Sequence, residues 1–123
     1  MLSALAQART NGYGRIALGL GMVAAPEAAT RPWLGDDAGR PGVQALTRMV
    51  GARDVILGFL TVHTAARPGV GPRTLATVAA VDVVDAAAVA AVRDRLPSGG
   101  ATGVIALAAG SAVQLAGAAA ALR

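Results

Sequence analysis

The sequence predicts an all-α fold, one domain over residues 1–123, built as an integral membrane four-helix bundle with a short interfacial segment after the first helix. Three observations predict it. Residues 101–122 carry no charged side chain, and an apolar run of about eighteen or more residues is long enough to cross about 30 Å of hydrocarbon. The other long apolar stretches enclose Arg or Asp, and a charge at membrane depth costs at least a few kcal/mol unless it is paired. The hydrophobic content, 54%, exceeds the roughly 45–50% usual in soluble domains. Its excess lies in Ala, Val, Gly and Leu. Tyr13, Trp33 and Phe59 are the only aromatic residues, too few for a core built on rings, whereas small side chains let helices approach closely in lipid.

The first span is expected over about 5–25, where Gly12, Gly14, Gly19 and Gly21 offer a smooth face for helix packing. Pro26 ends it. Proline followed by an acid starts a helix well, so Pro26 and Glu27 open a short turn lying at the interface, anchored there by Trp33. Tyr13 fits the same headgroup level, and residues 35–42 read as a polar loop. The second span, about 43–66, encloses Arg48, Arg53 and Asp54 and closes at the Pro/Gly cluster 67–72. The third, about 73–92, holds Asp82 and Asp85 in its middle. The polar stretch after it terminates the helix, and Ser98–Gly100 restarts the chain into the fourth span, 101–122.

Four spans place both termini on one side of a cell membrane. Arg9, Arg67, Arg73 and Arg123 then share that side and Arg31, Arg40, Arg93 and Arg95 the other, an even balance that Arg15 tips slightly toward cytoplasmic termini.

The charge pattern excludes several functions. All eleven cations are Arg and the formal net charge is +4, but they are scattered over loops or enclosed in apolar segments, not gathered into the exposed basic stripe of a nucleic-acid binder. With no cysteine, disulfides, thiolate metal sites and Cys nucleophiles are excluded. His63 alone cannot make a His-based metal centre, and its position near the end of the second span suits an interfacial side chain. The Gly-rich stretch 12–21 follows no strand and is explained by packing, not by phosphate binding. The N-terminal stretch lacks the cationic start, apolar run and cleavage site of a secretory signal, so it is expected to be retained. No metal, cofactor or catalytic residue is expected, and the chain is taken as non-enzymatic by default.

The enclosed charges are the candidate site: Arg15, Arg48, Arg53, Asp54, Asp82 and Asp85. Asp82 and Asp85 stand three apart on one helix face, where two desolvated carboxylates repel unless a cation joins them. Three arginines match three aspartates in number, and a guanidinium can bind two carboxylates at once. Arg48 and Arg53 project about 140° apart at 100° per residue, so they serve different partners, and one of them faces Arg15 or snorkels to the interface. Ser111 and Gln114 are expected to hydrogen-bond to a neighbouring helix.

The Gly-rich first span ending before Pro26, the segment Arg48–Gly58 with its Gly51, Ala52, Arg53, Asp54 core, and the Asp82-x-x-Asp85 element resemble uncharacterised four-span actinobacterial membrane proteins of unknown function near the DoxX-like group. The resemblance covers most of the chain. It implies a four-helix membrane fold, no established activity, and emphasis on Arg48, Arg53, Asp54, Asp82 and Asp85.

Two functions follow as expectations. The first is a small structural or accessory membrane subunit held in register by its Arg/Asp network, with the lipid bilayer and a second copy or another membrane protein as partners. The alternative is a membrane binding or carrier protein with a polar pocket for a lipid headgroup, quinone or small anion. A soluble bundle with an Ala-rich core is the third possibility.

Overall fold

The computed structural model describes residues 2–97 and 99–123; Ser98, part of the expected restart, lies outside them. The described residues form five α-helices and no strand: α1 Leu2–Ala24, α2 Pro26–Leu34, α3 Pro41–Thr64, α4 Val70–Ala90 and α5 Gly100–Ala121, with short 3₁₀ turns at Gly35–Gly39 and Arg93–Arg95. The four long helices coincide with the four expected segments to within a few residues. The difference lies in the first connection, where a nine-residue helix replaces a single turn and the loop at 35–39 coils into a 3₁₀ turn.

Local chemistry accounts for α2. Pro26 occupies the first helical position, where its missing N–H costs nothing, and Glu27 sits in the first turn. Arg31 donates to Glu27 one turn away, and the buried Thr30 hydroxyl donates to the Pro26 carbonyl at 2.7 Å. Its C-terminus is fixed by Gly35, whose φ of +61° is open to glycine at little cost. Glycine at the start of α5 then allows a close crossing: a β-carbon at Gly100 would come within 2.5 Å of the Trp33 Cα.

The long helices pack as two tight pairs, α1 on α3 and α4 on α5, which meet along α1–α5 and α3–α4. Glycine makes the first pair. Gly12 faces Gly58 and Gly19 faces Gly51 so closely that a β-carbon at Gly12 would lie 2.9 Å from the Gly58 carbonyl oxygen, and one at Gly51 2.7 Å from that of Gly19. The backbones therefore touch, with Ile16 and Val55 packed against the glycines. The second pair is built on Leu75, Val78, Ala79, Leu115, Ala118 and Ala119, which with Ala4, Ala8 and Ala65 form the apolar core.

The distribution of side chains runs opposite to that of an ordinary soluble domain. Buried positions are mostly Ala, Gly, Thr and Asp, while large apolar residues stand outside, among them Ile56 at 59% and Val113 at 74% exposure. The exposed charges instead collect at the two ends. One end carries Arg9, Arg67, Arg73 and Arg123; the other carries Arg31, Asp36, Asp37, Arg40, Arg48 and Arg93–Arg95. Between these rims the outward faces of α1 from Tyr13, α3 from Met49 to Leu60, α4 from Ala76 and all of α5 hold no exposed charged residue.

By length and composition one helix, α5, is apolar enough to cross a membrane, and most of that run is exposed and not covered by protein. The sequence analysis expected four such helices. The other three hold enclosed charges, Arg15 in α1, Arg53 and Asp54 in α3, Asp82 and Asp85 in α4, and further arginines nearer their ends, which lower their hydropathy.

Candidate functional site

Each long helix contributes two polar side chains to one connected network at the middle of the molecule. They are Asn11 and Arg15 from α1, Arg53 and Asp54 from α3, Asp82 and Asp85 from α4, and Ser111 and Gln114 from α5. The pairs stand four, one, three and three residues apart, and helical spacings of three or four put both members on the inward face. Arg53 and Asp54 are adjacent. They therefore diverge by about 100°, so that Asp54 points to the centre while Arg53 reaches the α3–α4 flank.

Arg15 is the hub. Its Nη2 donates to both carboxylate oxygens of Asp82, at 2.7 and 2.6 Å, and to the Ser111 hydroxyl at 3.1 Å, while Nη1 reaches Asp54 Oδ1 at 3.3 Å. Ser111 in turn donates to Asp82 Oδ2 at 2.6 Å. Asn11 extends the chain by donating to Ser111 at 2.8 Å and to Gln114 Oε1 at 3.0 Å. On the other side Arg53 grips Asp85 with two parallel hydrogen bonds of 3.0 and 2.6 Å and touches Asp54 Oδ1 at 3.4 Å. Asp54 thus links two guanidinium–carboxylate pairs.

Burial divides the network. The Arg15 and Asp82 side chains are 8% and 4% exposed, those of Arg53 and Asp85 36% and 33%. The first pair is sealed between helices; the second opens on the flank between α3 and α4. The two paired arginines leave their Nε groups, and Asn11 its Oδ1, buried without a hydrogen bond among the described residues.

The structure thus brings together Arg15, Arg53, Asp54, Asp82 and Asp85 and sets Arg48 apart. Arg48 is exposed, and its Nε donates to the Val23 carbonyl at 3.2 Å. The carbonyls ending a helix lack intrahelical partners and attract a cation, so the last turn of α1 offers Arg48 a nearer partner than any carboxylate. The expected balance of three cations with three acids becomes two with three. Asn11 is the member the sequence analysis missed, although its place one turn before Arg15 on the same helix face was the available signal. His63 stays outside, stacked on Phe59 at the end of α3 with its Nδ1 2.8 Å from the Phe59 carbonyl oxygen.

What the arrangement can do chemically is limited by how its groups are engaged. All three aspartates face guanidinium groups, and among the described residues no three His, Asp or Glu side chains converge as a metal site. Two concavities of the surface lie at the helix ends, one against Leu34–Asp37 and Asp94–Pro97, the other beside Gly69, Pro72, Arg73, Ala76 and Arg123. Neither reaches the network. Comparison of the chain with protein-family models, with curated proteins and with solved structures finds no match.

Proposed function

We propose that the chain is a multi-pass integral membrane protein, a four-helix bundle whose buried network of arginine, aspartate and amide or hydroxyl groups fixes helix register, and that it serves as a small structural or accessory membrane subunit. The observation that carries this is the apolar belt between two charged rims, in which the partly exposed charges, Arg53 and Asp85, are paired with each other. From Arg48 to the end of α3 at Thr64, or from Arg73 to the end of α4 at Ala90, the helical part of the belt measures about 25 Å at 1.5 Å per residue, close to the thickness of the hydrocarbon layer, about 30 Å. Water would leave that belt a large exposed apolar surface, which soluble monomers rarely present. Lipid solvates it, and the same lipid makes unpaired charges inside the bundle costly.

A scaffold suits the network better than a carrier pocket does. Both interior guanidinium groups are engaged by carboxylates of the chain itself, so an anionic headgroup or metabolite would have to displace Asp82 or Asp85 from contacts of 2.6 Å.

Two measurements test the proposal. The chain should stay in the membrane pellet after alkaline carbonate washing; release into the supernatant would leave a soluble bundle as the account. In mild detergent Arg53→Asp should lower the melting temperature, and adding Asp85→Arg should recover part of the loss. Melting that ignores both changes would remove register-setting from the role of the network.

A further inference from the structure

We propose that the network is a proton-binding site: at neutral pH it holds one proton, carried by Asp54. The inference rests on the membrane reading above and names the ligand of that same network. Its starting point is the charge count. Two guanidinium groups, Arg15 and Arg53, face three carboxyl groups, Asp54, Asp82 and Asp85, because Arg48 lies outside at the end of α1. From α1 the group facing Asp54 is Arg15, from its own helix Arg53, from α4 Asp82 and Asp85, while α5 presents only the neutral Ser111 and Gln114. The centre would therefore carry an uncompensated negative charge in a low-dielectric surrounding. A carboxylate in that position neutralises by taking up a proton.

Geometry selects which of the three takes it. Asp82 accepts three hydrogen bonds of 2.6 to 2.7 Å, from Arg15 and Ser111, and Asp85 accepts a two-pronged grip of 2.6 and 3.0 Å from Arg53. Those are the short contacts of charge-assisted pairs. Asp54 is 7% exposed, and both of its contacts, at 3.3 and 3.4 Å, fall on Oδ1 alone. Asp54 is therefore the carboxyl its guanidinium neighbours hold least closely, with Oδ2 left to carry the proton.

The test is infrared spectroscopy of the purified full chain in phosphatidylcholine vesicles at neutral pH, after carbonate washing has established that it is membrane-inserted. The expected result is a carbonyl band of a neutral carboxylic acid that shifts in heavy water, moves in frequency in Asp54→Glu and stays in place in Asp85→Glu. Removing a cation should enlarge it, so Arg53→Gln should about double its area as a second carboxyl takes a proton. An inserted chain with no such band, or a band that moves in Asp85→Glu and not in Asp54→Glu, overturns the proton assignment while leaving the membrane reading intact. A bound sodium or potassium ion in place of the band would assign the site to a metal cation instead and overturn it too. Release of the chain by carbonate removes the membrane reading and the proton assignment together.

Discussion

Arg15 and Arg53 make the same kind of bond, a guanidinium on an aspartate at 2.6 Å, in two different regions of the molecule. Arg15 sits at the junction of all four long helices and binds Asp54, Asp82 and Ser111 at once. Arg53 stands on the α3–α4 flank, about a third exposed, where the helices meet over a smaller area. The distance does not distinguish them; their surroundings do. A sealed charge cannot move to a new partner when its own is removed, whereas a charge on a flank can swing toward the interface, as long arginine side chains do. Arg48 completes the series, exposed and tied to a backbone carbonyl.

The comparison makes graded predictions for thermal unfolding in one mild detergent. Arg15→Ala strands Asp82 in the centre and should have the largest effect, about 3–5 kcal/mol, the usual cost of breaking a buried pair by removing one partner. A loss no greater than that from Arg53→Ala would break the distinction between the two regions.

Next come the glycines that let α1 and α3 touch. Gly51→Leu or Gly58→Leu places side chain where a β-carbon already meets a carbonyl oxygen at 2.7 or 2.5 Å. The helices must then part, at a cost of about 1–3 kcal/mol for overpacking. Gly110→Ala, where nothing stands within 4 Å of a new β-carbon, is the matching control and should be neutral or slightly stabilising.

Arg53→Ala should fall below Arg15→Ala, with its loss partly restored by removing Asp85 in the double variant, since the pair then leaves together. Arg48→Ala should change stability least, within about 0.5 kcal/mol, as for surface substitutions away from special features. A loss comparable to that of Arg53→Ala would show that the tie to the Val23 carbonyl holds α1 and α3 together.

The long helices were legible in the sequence because Pro26, the Pro/Gly cluster around Pro68 and Gly69, and the polar stretch around Pro97 interrupt runs of otherwise helical residues. The helix α2 was half legible. Pro26 and Glu27 signal its start, but Pro32 and Gly35 suggest an early stop, and only packing beneath Gly100 shows that it runs to Leu34.

In the network, residue type marked Arg15, Arg53, Asp54, Asp82 and Asp85, because ionic side chains within apolar runs are conspicuous. Asn11 was overlooked because a neutral amide within the first span carries no charge to mark it. The exclusion of Arg48 was foreshadowed by its angle to Arg53 on the helix. Its partner could not be found from the sequence, because a backbone carbonyl leaves no trace in residue identity. Glycine showed the same limit. Gly12, Gly14, Gly19 and Gly21 look alike in the sequence, yet Gly12 and Gly19 touch α3 and the other two face open space.

The central claim, that the outward apolar belt lies in lipid, is tested most directly by cysteine accessibility in sealed and in permeabilised vesicles, since the chain contains no cysteine of its own. Single cysteines would replace Ile56, Val84 and Val113 in the belt and Ala66 and Asp36 at the rims. The account predicts that a water-soluble maleimide labels each rim position from its own side and leaves the belt positions unlabelled until the protein is denatured. Belt cysteines that label in native vesicles as readily as rim cysteines would contradict it, placing those faces in water.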